Sequence, residues 1–175
     1  MNDDCRSRAP FMCVLALIAA PARAEDAACE AVLDAFARLA NTPNHQITVQ
    51  RDHSGTTMAE SINTGTRLYV RGRGTWTSKP FSPAAEIMAE AARAKSQKST
   101  CRRGRDQNVE GVEASLYSVH TKTDDGTSDA KLWIAKANGL PVRQEIKLDL
   151  TQVPGKTHIE VRFVYAGVAA PMDAQ

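Results

Sequence analysis

The chain has 175 residues, 42% apolar, 5% aromatic and 24% charged, with a formal net charge of +2, which is the composition of a globular protein and not of a disordered or fibrous one. The near balance of charge gives no global reason to expect a nucleic-acid partner. Its one uninterrupted apolar run, residues 11–20, is shorter than the roughly 20 residues a membrane span requires.

Arg6 and Arg8 precede that run, and Pro21 and the triplet Ala22-Arg23-Ala24 follow it. This is the order of a cleavable secretory signal, so residues 1–24 are expected to be removed after Ala24, leaving 25–175 as one exported domain. The competing reading is a buried N-terminal helix, which would need neither the charged lead nor the small-x-small ending. Lipidation at Cys29 is not expected, because Asp26 stands where a lipoprotein signal needs an aliphatic residue. Cys5 and Cys13 leave with the signal. Cys29 and Cys101 remain, and in an oxidising compartment they most simply form one disulfide; two buried free thiols are the alternative.

The spacing of Cys29, Val32, Phe36 and Leu39 predicts a helix over 28–40, stopped by Asn41-Thr42-Pro43-Asn44. The period then changes to two. Strands are predicted over 45–52, 57–64 and 67–76, with turns at His53-Ser54-Gly55 and Asn63-Thr64-Gly65. Lys79-Pro80-Phe81 reads as a corner leading into a second helix. Ser82 is its N-cap and Pro83 its first residue, and Ala84, Ile87, Met88, Ala91 and Ala94 form a small-residue stripe ending near Gln97. Further strands follow over 99–105, 112–121, 129–136, 140–150 and 157–165, separated by turns such as Asp124-Asp125-Gly126 and Ala137-Asn138-Gly139. The fold class is therefore α+β: a strongly curved antiparallel sheet, an open half-barrel of about eight strands covered by two helices. A flat sheet with helices packed outside is the alternative.

No motif for hydrolysis, nucleotide binding or metal binding is present, so neither a catalytic group nor a cofactor or metal is expected. Asp52-His53-Ser54 has the residue types of a catalytic triad, but neighbours on one turn cannot face one another in that geometry. His45, His53, His120 and His158 are scattered. Arg67, Arg71 and Arg73 share one strand face. With Arg102, Arg103 and Arg105 they would form a basic patch for an acidic partner or anionic head groups, provided the two strands adjoin.

The stretch 130–145 (AKLWIAKANGLPVRQE) resembles the hairpin of the LolA/LolB-like superfamily of envelope lipoprotein carriers: Leu132-Trp133-Ile134, then Gly139-Leu140-Pro141, then an arginine, Arg143, on the next strand. The ending at 163–171 (FVYAGVAAP) and the order helix, three strands, helix, further strands are similar too. The resemblance implies a periplasmic protein that holds an acyl chain, a lipid or a lipidated partner under an incomplete barrel. The expected wall is Leu68, Val70, Leu116, Leu132, Ile134, Ile146, Leu148, Val161 and Phe163, with Ile87 and Met88 as its cover. The alternative is a non-catalytic interaction module with a dry core, meeting an envelope partner through Arg67, Arg71 and Arg73.

Overall fold

The computed structural model describes residues 22–72, 74–152 and 155–172. Most of the expected export signal, residues 1–21, lies outside the described residues, and the expected cleavage point after Ala24 falls in the first turn of the first helix. The elements run α1 (Ala22–Ala40), β1 (Asn44–Asp52), β2 (Gly55–Asn63), β3 (Arg67–Arg71), β4 (Thr77–Pro80), α2 (Pro83–Ser96), β5 (Lys98–Val109), β6 (Val112–Thr123), β7 (Gly126–Ala135), β8 (Pro141–Leu150) and β9 (Lys156–Val164).

The strands form one antiparallel sheet in the order β4-β3-β2-β1-β9-β8-β7-β6-β5, a curved half-barrel left open between β4 and β5. Two meanders, β1–β4 and β5–β9, meet where β1 pairs with β9. Among the described residues there are nine strands and not about eight. The additional one is β4, at the expected corner, where Pro80 pairs with Arg67; an edge strand tolerates a proline because one side of its backbone needs no partner. The strand expected to reach Trp76 stops at Arg71. The chain then doubles back, and Trp76 is buried with the Arg71 guanidinium 4.8 Å from its ring centroid.

α1 lies across the inner face of the sheet. Val32 and Ala35 pack on Leu132 and Ile134, Leu39 packs on Val161 and Phe163, and Phe36 touches both groups. Each of the larger of these side chains, Ala35 apart, stabilises the fold by roughly 1.5–3 kcal/mol on burial. The last four carbonyls of a helix lack intrahelical partners, and here each accepts from a side chain. Asn41 Nδ2 donates to Ala37 O (2.8 Å), Thr42 Oγ1 to Arg38 O (2.8 Å), Asn44 Nδ2 to Leu39 O (3.1 Å) and Asn63 Nδ2 to Ala40 O (3.3 Å). Asn44 and Asn63 thereby fasten the helix end to β1 and β2. In the N-terminal half of the helix, Cys29 is disulfide-bonded to Cys101 of β5.

One strand faces the opposite way from its expectation. In β6, Tyr117 and Val119 pack against the α1 cluster, whereas Leu116 joins Val109, Ala114, Trp133 and Val142 on the outer face. β5 is irregular between Arg103 and Asp106, and a Cβ on Gly104 would stand 3.2 Å from Leu116. The missing side chain at that irregularity makes room for Leu116 outside the barrel. Trp133 completes the outer cluster by donating Nε1–H to Gln107 Oε1 at 2.8 Å.

Candidate functional site

α2 begins as its sequence indicates, with Ser82 Oγ accepting from Ala85 N at 3.3 Å and Pro83 in the first turn, yet none of its residues is buried. Pro83, Ile87, Glu90 and Ala94 are only half-buried, and α2 packs chiefly on α1, meeting the sheet mainly at β5, the strand that follows it. Between α1, α2 and strands β1–β3 this leaves an open cleft of about 460 Å³, within the range of small-ligand sites.

The cleft is two-sided in chemistry. Leu33, Phe36, Phe81, Leu68, Ile87 and Ala91 supply apolar surface, and Asn44, Gln46, Ser61 and Asn63 supply a polar wall. The wall follows from register. Thr48 pairs with Val161 and Gln50 with Ile159, so the polar residues of β1 share the inner face with the core. The aliphatic Ile47 and Val49 pair with Arg162 and Glu160 on the outer face. β2 follows suit, with Ser61 and Asn63 inside and Ile62 outside. Asn44 and Asn63 are committed to the end of α1, and Gln46 Nε2 donates to Asn44 Oδ1 at 2.9 Å. Among the described residues, the Ser61 hydroxyl and the Gln46 carbonyl oxygen make no hydrogen bond. Asp34, Glu86 and Glu90 stand at the rim, and Arg93 pairs with both glutamates.

Of the expected wall, only Leu68 and Ile87 line this cleft. Leu132, Ile134, Val161 and Phe163 are buried in the core, Leu132 at 1% exposure, so α1 fills the space in which a ligand was expected to meet them. Ile146 and Leu148 are half-buried on the same inner face. Val70 is exposed, Met88 is 73% exposed and cannot act as a cover, and Leu116 is on the wrong face. Phe81, Leu33, Gln46 and Ser61 were not anticipated. The alternation Asn44-x-Gln46-x-Thr48-x-Gln50 was the available signal, because it gives β1 a continuous polar face.

The arginines do not form a joint patch. β3 is next to one edge of the sheet and β5 forms the other edge, so Arg102, Arg103 and Arg105 lie away from Arg67 and Arg71. Arg67 donates to Ser78 Oγ at 2.6 Å. Arg71 donates to Glu60 Oε1 at 2.5 Å, and Glu60 Oε2 lies 2.8 Å from His45 Nε2. Arg73 lies outside the described residues. The Arg71 hydrogen bond, opposed by partial burial, holds the Glu60 carboxyl below its ordinary range. A lowered folded-state pKa stabilises the fold above the unfolded value, and that stability is lost as pH falls through the folded one. Denaturant titrations are therefore expected to show stability falling below about pH 4.3, with a shallower fall in Arg71→Ala; equal slopes would remove Glu60 from the account.

Asp52-His53-Ser54 forms the β1–β2 turn. Asp52 accepts from the Ser54 hydroxyl, from Gln50 and from Ser54 N, which lowers its pKa to about 2. Among the described residues no group of three or more His, Cys, Asp or Glu is placed to hold a metal ion.

No family model matches the chain, and no curated protein matches it in sequence. Solved structures do. The structure of MucB in complex with MucA(peri) superposes with a TM-score of 0.51 at 14% identity, over 83% of this chain and 60% of that one. A putative outer membrane lipoprotein-sorting protein domain from Vibrio parahaemolyticus matches over 82% and 94% of the two chains, with a TM-score of 0.28 and 8% identity. The superposition on MucB supports a distant, fold-level resemblance to the LolA/LolB-like proteins. An uncharacterized conserved protein from Thermus thermophilus matches at 13% identity and a TM-score of 0.44, covering 84% and 96%. The LolA/LolB-like likeness is one of fold, which does not carry function with it, and the chain spans about 60% of the length of MucB.

Proposed function

We propose that this is an exported, non-catalytic periplasmic binding or carrier protein that holds the acyl chain of a lipid or of a lipidated partner in the cleft beneath α2. The observation that carries the reading is the cleft's two-sided lining: an apolar surface from Leu33, Phe36, Leu68, Phe81 and Ile87 facing Gln46 and Ser61, which have polar atoms to spare. An acyl chain gains about 0.8 kcal/mol per CH₂ removed from water, and its polar end can meet the β1–β2 wall. α2, with no buried residue, can move aside at small cost. The N-terminal charge, apolar run and Ala-x-Ala order support export.

Delipidated protein is expected to take up a fluorescent fatty acid. Leu68→Asp combined with Ile87→Asp should weaken uptake at least about tenfold, because a carboxylate in the apolar wall must be desolvated when the chain binds. Met88→Asp, at an exposed position, should leave uptake unchanged. Wild-type protein that takes up no fatty acid would end this reading. A partner-binding module would then be favoured, and two observations support that second reading: the core filled by α1, and the likeness to MucB, whose solved structure contains MucA(peri).

A further inference from the structure

We propose that the outer face of the sheet carries a second site, a groove for a phosphate group, built on the cross-strand row Arg102–Ser118–Lys131. Arg102 pairs with Ser118, and Ser118 pairs with Lys131. The Ser118 hydroxyl thus stands between a guanidinium-bearing and an ammonium-bearing strand, each about 4.8 Å away. The adjoining row is Thr100–His120–Asp129–Lys147. Together the two rows border a groove of about 620 Å³. It is on the opposite side of the sheet from the cleft, since these residues alternate with Cys101, Val119 and Ala130 of the inner face.

The charges in the groove are not balanced. Its two carboxylates are already engaged: Asp129 Oδ1 lies 2.7 Å from His120 Nδ1, and Glu145 Oε1 accepts from Arg143 Nη2 at 2.8 Å. Lys131 stands opposite Glu145 and Lys147 opposite Asp129, yet among the described residues Arg102, Lys131 and Lys147 close no ion pair. Arg102, Lys131 and Lys147, on β5, β7 and β8, outnumber the two carboxylates and leave the groove net positive, a charge that a bound anion offsets. A planar guanidinium fork, two mobile ammonium groups and the hydroxyls of Ser118 and Thr100 can approach one centre from several directions. This suits the oxygens of a phosphate better than a planar carboxylate.

The test is titration of the folded protein with inorganic phosphate, followed by amide chemical shifts, beside sedimentation with phosphatidylglycerol and with phosphatidylcholine vesicles. Phosphate should shift the amides of β5–β7, with affinity falling as salt rises. Arg102→Glu with Lys131→Glu should weaken binding at least about tenfold, while Arg105→Glu, on the same strand but outside the groove, should not. Co-sedimentation with the anionic vesicles alone supports the site and assigns the phosphate to a lipid headgroup; no co-sedimentation, with phosphate still bound, supports it and assigns a soluble phosphate ester. Equal binding by the double variant, or no phosphate-dependent shift in the wild type, overturns the proposal.

Discussion

Replacing Cys29 and Cys101 together with alanine is expected to cost about 4 kcal/mol of stability and to lower Tm by on the order of 10 °C. The bridge closes a loop with a sequence separation of 72, and its loss returns that loop's freedom to the unfolded chain. It also has a local role. Cys29 belongs to the half of α1 that no asparagine fastens, and β5 is an edge strand with a single strand neighbour, β6. Cys101 itself is 3% exposed, so alanine is a better replacement than serine, which would leave a hydroxyl to satisfy. Urea unfolding of the oxidised protein, of the reduced protein and of the double variant measures the effect. The last two should agree, and a loss below about 1 kcal/mol would show that the helix packing holds α1 by itself.

Leu132→Ala is expected to destabilise the fold by roughly 2–5 kcal/mol. Leu132 is 1% exposed and packs with Val32, Ala35 and Ile134, and α1 is held on either side of it by the Cys29–Cys101 bridge and by Asn44 and Asn63, so the cavity cannot readily collapse. The same substitution separates core from ligand wall. If Leu132 belongs only to the core, fatty-acid affinity per folded molecule stays within about twofold of wild type, while Leu68→Asp with Ile87→Asp shows the converse, weak binding at near-normal stability. Lost affinity in folded Leu132→Ala protein would mean that α1 lifts off the sheet to admit the ligand and that the core is the real site.

Much of the framework was legible. The two helices (the first of them six residues longer at its start than its periodicity predicts), the Ser82 cap, the Asn41–Asn44 stop, the strand sequence after Lys98, the described turns and the cysteine pair all depend on local periodicity and turn chemistry, which neighbouring residues carry. Where legibility failed, the reason was specific. Leu116 follows an apolar pattern that favours the inner face, but the irregular Arg103–Asp106 segment and Gly104 open a space for it outside. Met88 belongs to an alanine-rich stripe that reads as a sheet-packing face, yet α2 rests on α1 and leaves Met88 in solvent. The two arginine groups are near in sequence order but separated by the strand order, which the β1–β9 pairing determines.

The sequence by itself determined that this chain makes a one-layer antiparallel sheet with two helices, because alternation, hairpin turns and helix caps are local properties. It also determined which two cysteines were available to pair. Alternation names two faces of a strand without saying which one turns inward. In β1 and β2 the polar face turns in and the aliphatic face turns out, because β1 takes its register from β9, and Thr48 must lie beside Val161. Only the tertiary structure could decide that, and with it the position of the cleft: α1 covers the apolar half of the inner face and leaves the polar half open.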